Sequence, residues 1–203
     1  MWARTGHLTL RGLVWLAGVV VAALIGGFIT VAMTRPGASC DEPGDLEPVT
    51  DSPTATATST LIDSRRRHYE AALAVDGDPK TAWSEGVHPA VAGETITFQF
   101  AQAVDLQLVC VVNGYAKSKT LYEQNPRLQL VDVSTNQGRT RQRLRDLPEE
   151  QFRVPQKLGI KAGPTTLLII KIEKAFLGDK YDDVSLSEVE FYRGNKPWWK
   201  PWG

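Results

Sequence analysis

From Thr60 onward, apolar and polar side chains exchange places in short bursts with a period of two. In Glu94–Phe100, Ile96, Phe98 and Phe100 alternate with Thr95, Thr97 and Gln99, the pattern of a strand with one face on a core and the other toward water. Val104–Val112 repeats it, with Val104, Leu106, Leu108, Cys110 and Val112 assigned to one face. Arg127–Val133 is a third candidate strand. Thr166–Glu173 starts apolar on both faces, as a strand buried between layers does. Leu186–Tyr192 puts Val189 and Phe191 on one face and Glu188, Glu190 and Tyr192 on the other. Asn-Gly, Asn-Pro, Asn-Gln-Gly, Ala-Gly-Pro and Leu-Gly-Asp turn signals lie between these segments. No amphipathic stretch is long enough for a helix of three turns. The expected fold class is all-β, an antiparallel jelly-roll β-sandwich.

Ahead of this region the pattern changes. Leu13–Met33 is apolar and uncharged throughout. At about 1.5 Å per residue, a helix of that length covers roughly 30 Å, the thickness of a bilayer's hydrocarbon core. A cleaved signal peptide usually has only about 7–15 apolar residues. The run is therefore read as a transmembrane helix. Gly18, Ala22 and Gly26 form a small-residue seam along it. Arg4 and Arg11 precede the run, while Arg35 and then five acids (Asp41, Glu42, Asp45, Glu47 and Asp51) follow it. That asymmetry places the N-terminus inside and the larger part outside the cytoplasm. The expected organisation is a short cytoplasmic N-terminus (1–12), the helix (13–33), a flexible acidic Pro/Ser/Thr linker (34–59), the sandwich (60–193) and a Trp-rich tail (194–203). The linker is expected to be disordered because it has scarcely any large apolar side chain with which to offset ordering entropy. The expected localisation is the cell membrane, single-pass, with the C-terminal domain extracytoplasmic.

Charge and cysteine count refine this only slightly. Lys and Arg number 23 and Asp and Glu 23, so no basic excess points to nucleic acid as a partner. Cys110 falls on the apolar face of a predicted strand and is expected as a buried thiol. A bridge to Cys40 is the alternative in an oxidising compartment. Gly37-Ala38-Ser39-Cys40 also resembles the end of a lipid-attachment site, although Gly37 stands where leucine is usual.

Asp76-Gly77-Asp78-Pro79 gathers carboxylate and carbonyl oxygens in a tight turn, and Thr81 adds a hydroxyl. Hard oxygen donors of this kind suit Ca²⁺, but a full site takes about 6–8 of them. Glu188 on the last strand is the natural distant donor. The plainer alternative is a turn whose Asp side chains cap backbone N–H groups. No cofactor is required, and a structural calcium ion is the one candidate.

The stretch Asp76-Gly77-Asp78-Pro79-Lys80-Thr81-Ala82-Trp83 resembles the Asp-Gly-x-x-x-Thr-x-Trp loop of discoidin-like domains, the galactose-binding-like, coagulation-factor type C superfamily. Four further pieces follow in order: Trp83-Ser84-Glu85-Gly86, Asn113-Gly114-Tyr115-Ala116-Lys117-Ser118, Asn125-Pro126-Arg127, and Lys180-Tyr181-Asp182-Asp183 with Leu186-Ser187-Glu188. Together they are similar to the non-catalytic, glycan-binding domain that accompanies secreted NAD glycohydrolases, over about Thr60–Tyr192. The chain departs from that pattern at Phe176-Leu177-Gly178, where proline before the glycine is usual. The resemblance implies a jelly roll whose loops bind carbohydrate at one end and whose Trp83 points inward. It also implies metal ligands at Asp76, Asp78, Thr81, the Ser187 carbonyl and Glu188, with Asp182 and Asp183 as alternative partners of that loop.

A sugar site needs a flat aromatic face and planar polar groups. Tyr115, Lys117, Tyr122, Asn125, Arg127 and Tyr181 fall in the predicted loops and supply both. Enzymatic readings find no support. There is no Gly-x-Ser-x-Gly elbow, no phosphate loop and no paired metal spacing. His68 and His88 are isolated, and Glu149-Glu150 reads as a solvated face. Arg139, Arg141, Arg143 and Arg145 alternate along one side of a strand, as a solvated row or a contact for an anionic polymer. Lys196–Gly203 carries Trp198, Trp199 and Trp202. The expected function is a membrane-anchored, non-catalytic carbohydrate-binding module. The alternative is a protein-interaction domain of a membrane-bound envelope complex.

Overall fold

The computed structural model describes residues 37–87 and 92–195. The apolar run 13–33, His88, and the tail tryptophans Trp198, Trp199 and Trp202 lie outside these residues. Among the described residues no helix is long and apolar enough to cross a membrane. The elements are β1 (Glu47–Pro48), β2 (Thr54–Ala57), β3 (Trp83–Ser84), β4 (Thr95–Asn113), the short helix α1 (Lys119–Gln124), β5 (Arg127–Thr135), β6 (Gly138–Arg143), β7 (Gln156–Leu158), β8 (Gly163–Phe176) and β9 (Ser185–Arg193). The strands join in the order β1-β9-β4-β8-β5-β6, with β2 and β7 on β4 and β3 on β9. Pairing is antiparallel, apart from short parallel contacts of Arg127 with Ser185 and Gly114 with Leu186.

The two apolar segments expected as separate strands are one. β4 runs through Gln99–Val104 with a register shift. Before that shift it pairs with β2 and β8, and after Leu106 with β9 and β7. The strand therefore changes neighbours along its length. Phe98 and Phe100 meet Phe191 edge-on, with ring centroids 5.4 and 5.1 Å apart. Leu168, Ile170, Val131 and Val133 join the same buried core from β8 and β5. Burial of side chains this size is worth roughly 1.5–3 kcal/mol each.

The assignment of faces along β4 needs one correction. A register shift between Leu106 and Leu108 puts Val109 opposite Phe191 and Leu108 opposite Tyr192. Leu106, Val109 and Val111 accordingly face the core, whereas the unbroken alternation assigned Leu106, Leu108, Cys110 and Val112 to one side. One extra residue reverses which side chains point inward.

The reverse face is covered in part by a cross-link. Cys110 is not a free thiol: it bridges Cys40, with Cα atoms 5.8 Å apart, within the normal range. The expected disorder through Ser59 is corrected as well. β2 pairs Thr54–Ala57 with Gln99–Ile96, and β1 pairs Glu47 and Pro48 with Arg193 and Tyr192. Hydrogen bonding to strand edges, together with a few small apolar contacts (Val49, Ala55 and Ala57 on the core, Pro53 buried), holds this polar stretch in place, which is why its composition concealed it.

β6 ends the strand order and shows strict alternation, with Arg139, Arg141 and Arg143 outward. Asp132 on β5 receives Arg141 at 2.7 and 3.0 Å, and Glu173 lies 3.5 Å from the same guanidinium. The row is thus partly neutralised, and charged side chains on an edge strand discourage pairing with other chains.

Candidate functional site

Three segments meet at one end of the β3–β9 pair. The first is a small hairpin, Leu61–Tyr69. It is closed by the Ile62–His68 bridge and by Asp63 N–H donating to the Arg67 carbonyl at 3.1 Å. The Asp63 carboxylate accepts the backbone N–H groups of Arg65 and Arg67, both at 2.9 Å, the usual way an Asp organises a turn. Those hydrogen bonds and the Arg67 guanidinium hold its carboxyl below the ordinary range, against an opposing effect of burial. The hairpin is pinned to β3 by Leu61 N–H to the Ser84 carbonyl and Ser84 N–H to the Tyr69 carbonyl.

The second segment is the loop leaving β4. Asn113 is buried, and its amide mimics a backbone pair by donating to the Leu128 carbonyl at 2.8 Å and accepting from Leu128 N–H at 2.9 Å. Gly114 follows with φ +85°, and a Cβ there would lie 2.7 Å from Arg127 Cγ; only glycine fits. Ala116 N–H donates to Ser187 Oγ at 2.8 Å, and the Arg153 guanidinium clamps the Ala116 and Lys117 carbonyls. Tyr115 and Lys117 are therefore carried on a fixed backbone. The third segment brings Tyr181, 39% exposed, ahead of β9.

Between them lies a groove of about 390 Å³. Four of the six residues expected to bind sugar line it: Tyr115, Lys117, Asn125 and Tyr181. Tyr69 and Tyr115 stand edge-to-face, with centroids 6.0 Å apart. Burial pushes both phenols up, so they remain neutral hydroxyls. Asn125 is largely buried, and its amide nitrogen serves the Leu121 carbonyl at the end of α1.

Tyr122 and Arg127 are not in the groove. Tyr122 is 3% exposed and donates its hydroxyl to the Leu147 carbonyl. Arg127 is 8% exposed, forks onto Asp146 at 2.8 and 3.0 Å, and donates to the Tyr122 and Asn125 carbonyls. Its guanidinium lies 4.6 Å from the Tyr122 ring centroid. These two residues brace the wall behind the groove. In their place stand Asp63, Arg65, Arg67 and Tyr69, which sequence reasoning missed. The available signal was an Asp followed at the second and fourth positions by Arg, between Leu61 and an aromatic residue.

Trp83 points inward as expected. It is fully buried and donates Nε1–H to the Ser59 carbonyl at 3.1 Å. Glu85 beside it is also buried, and desolvation pushes its carboxyl up against the opposing N–H groups of Val87 and Val184. A Cβ on Gly86 would meet the Thr60 carbonyl oxygen at 2.6 Å. The Trp-Ser-Glu-Gly run is thus a packing motif.

The Asp-Gly-Asp-Pro turn lies apart from the groove lining. Asp76 Oδ1 accepts Asp78 N–H, Asp78 Oδ1 accepts Lys80 N–H, and Thr81 Oγ1 lies 2.8 Å from both Asp76 Oδ2 and the Asp78 carbonyl. These are the contacts of a self-capped turn. Glu188, 5% exposed, lines the same depression as Asp76, and its Oε2 has no hydrogen-bond partner among the described residues. Among the described residues no group of three or more His, Cys, Asp or Glu is gathered as a metal would need. The Asp76, Thr81 and Glu188 oxygens nevertheless fit part of a hard-cation donor set. Ser187 Oγ accepts Ala116 N–H, leaving only its carbonyl for such a role.

Desolvation, reinforced by the Asp76 charge, pushes the Glu188 carboxyl up to about 7. A carboxyl raised in the folded state favours folding while protonated. Stability is therefore expected to fall as pH rises from about 4.5 to about 7, by at most roughly 3 kcal/mol, and to level off above that. Glu188→Gln should flatten this decline and melt above wild type at pH 8 but not at pH 4. Parallel curves for the two proteins in thermal melts across that range would refute the assignment.

The family model described as NAD glycohydrolase translocation F5/8 type C domain matches residues 49–192, starting ahead of the expected Thr60 boundary and taking in β2. No curated protein matches the chain. Among solved structures, the F5/8 type C domain of a Bacteroides fragilis protein is similar, with 16% identity, a TM-score of 0.54 and coverage of 76% of this chain and 100% of that one. CBM32-3 from a family 31 glycoside hydrolase of Clostridium perfringens has 23% identity, a TM-score of 0.50 and coverage of 73% and 91%. Arabinofuranosyltransferase AftD from Mycobacteria has 21% identity and a TM-score of 0.52, but the match covers 71% of this chain and only 11% of that enzyme. At such identities the likeness is one of fold, an all-β discoidin-like architecture. The family match is a matter of sequence and takes in most of the described strands, and on that ground the chain belongs to the NAD glycohydrolase translocation F5/8 type C domain family.

Proposed function

We propose that this protein is a non-catalytic carbohydrate-binding module displayed outside the cytoplasm on a membrane anchor. The observation that carries the reading is the groove at the Tyr69–Tyr115 pair. It offers aromatic surface for a pyranose ring, and the Arg67, Lys117 and Asn125 side chains lie beside it for hydroxyls. The Cys40–Cys110 bridge supports the extracytoplasmic placement, because such bonds persist in oxidising compartments. The anchor rests on the apolar length of 13–33 and on Arg4 and Arg11 before it.

A glycan array probed with a chain that retains Cys40 tests the reading. A saccharide signal that drops about tenfold in Tyr115→Ala and in Tyr181→Ala, with melting unchanged in the latter, is the expected result; tenfold corresponds to about 1.4 kcal/mol. Absence of any saccharide signal would favour the competing role, docking of a protein partner in an envelope complex.

The reading includes a structural calcium ion at the Asp-Gly-Asp-Pro turn. Asp76, Asp78, Thr81, the Ser187 carbonyl and Glu188 would hold it, and the ion would neutralise the buried carboxylate. Calcium should then raise the wild-type melting temperature at pH 8 and leave Asp76→Ala unmoved. Identical melting in calcium and in chelator would leave the turn self-capped.

A further inference from the structure

We propose that the groove is built for an acidic saccharide, one carrying a carboxylate or phosphate substituent, with Arg65, Arg67 and Lys117 receiving the anion. The inference rests on the carbohydrate reading and narrows it to a charge class.

The geometry of the hairpin carries it. Arg65, Arg66 and Arg67 are consecutive, yet only Arg65 and Arg67 line the groove. Arg66 makes this arrangement by adopting φ +58°, and it is the one non-glycine residue with positive φ among the described residues. That conformation is disfavoured for a long side chain and persists where surrounding bonds enforce it. Here the enforcement comes from Asp63, whose carboxylate takes both the Arg65 and Arg67 N–H groups and whose carbonyl takes Arg66 N–H at 2.9 Å. The strained turn brings both Arg65 and Arg67 to one opening.

Three cations, Arg65, Arg67 and Lys117, line the opening against two carboxylates, Asp63 and the buried Asp183. Asp63 is already engaged by Arg67, with Nε 2.6 Å from Oδ2. That contact orients the Arg67 guanidinium, which also lies 5.9 Å from the Tyr69 ring centroid, and leaves several of its five donors for a ligand. The Arg65 and Lys117 side chains have no ion-pair partner among the described residues. Lys180, 5.1 Å from the Tyr181 ring centroid, adds a fourth cation at the rim. The opening carries a net positive charge, with Asp63 turned to Arg67 and Asp183 buried beneath it. A forked guanidinium matches the oxygen pairs of a carboxylate or phosphate, and the tyrosines supply the face on which the sugar ring rests.

The experiment is titration calorimetry of the full-length protein in detergent with matched probes: oligogalacturonate against its methyl ester, and a mannose-6-phosphate oligosaccharide against its dephosphorylated form. At 50 mM salt the charged member of at least one pair is expected to bind tenfold or more tightly than its neutral partner. The ratio should shrink at 500 mM salt. Arg65→Gln and Lys117→Gln should each reduce the ratio three- to tenfold, while Arg139→Gln on the β6 edge leaves it unchanged. The pair that shows the preference identifies carboxylate or phosphate. Equal binding within both pairs, or an equal loss in Arg139→Gln, overturns the proposal while carbohydrate binding stands. No binding by any of the four probes overturns the proposal, and if the glycan array is also blank, the carbohydrate reading falls with it.

Discussion

Replacing Cys40 with alanine, or reducing its bridge to Cys110, is expected to lower the domain's stability by about 4 kcal/mol. The two cysteines are 70 residues apart, and closing a loop of that length removes entropy worth about that much from the unfolded chain. In a domain of this size each kcal/mol moves the melting temperature by about 2–4 °C, so a fall of roughly 10 °C should be seen. The loss should concentrate first on β1 and β2, which are two and four residues long and depend on being held near β9 and β4. Hydrogen exchange with and without reductant would show this as early exposure of Thr54–Ala57. An unchanged melt under full reduction would contradict it. A fragment starting at Thr60 would lack the bridge and both strands, so binding studies need a chain that begins ahead of Cys40.

Arg127→Ala should be nearly as damaging, at about 3 kcal/mol, the lower end of what breaking a buried ion pair costs. The lower end applies because Asp146 is 41% exposed at its side chain and can be rehydrated. The Tyr122 and Asn125 carbonyls would lose their donor, the Tyr122 ring would lose its stacked cation, and space would open beneath Gly114. Arg127→Lys should recover little, since a point charge cannot make the fork onto Asp146. Denaturant unfolding measures the loss, and the folded fraction should keep its sugar affinity. A variant that melts like wild type but no longer binds would return Arg127 to the groove.

Arg127 also shows where sequence reasoning stops. An arginine in an Asn-Pro-Arg loop reads equally well as a ligand contact or a brace. The choice depends on Asp146, which is nineteen residues away and comes near only when β5 and the chain beyond β6 are in register. The same limit applies to Lys117 and Tyr181, which are loop residues; the structure places both at the groove instead of in a brace.

The sequence by itself determined the β class, the period-two strands such as Thr95–Phe100 and the glycine-dependent backbone after Asn113. All of these follow from side-chain alternation and backbone chemistry within a few residues. Only the tertiary structure decided the Cys40–Cys110 pairing, the reversal of faces beyond Leu106, and the ordering of Glu47–Ala57 on strand edges. It alone also brought the Asp63–Tyr69 hairpin up to Tyr115. Each of these depends on which distant segments share a register. A strand's own alternation says that it has two faces, but its neighbours decide which face is buried and where an extra residue exchanges them.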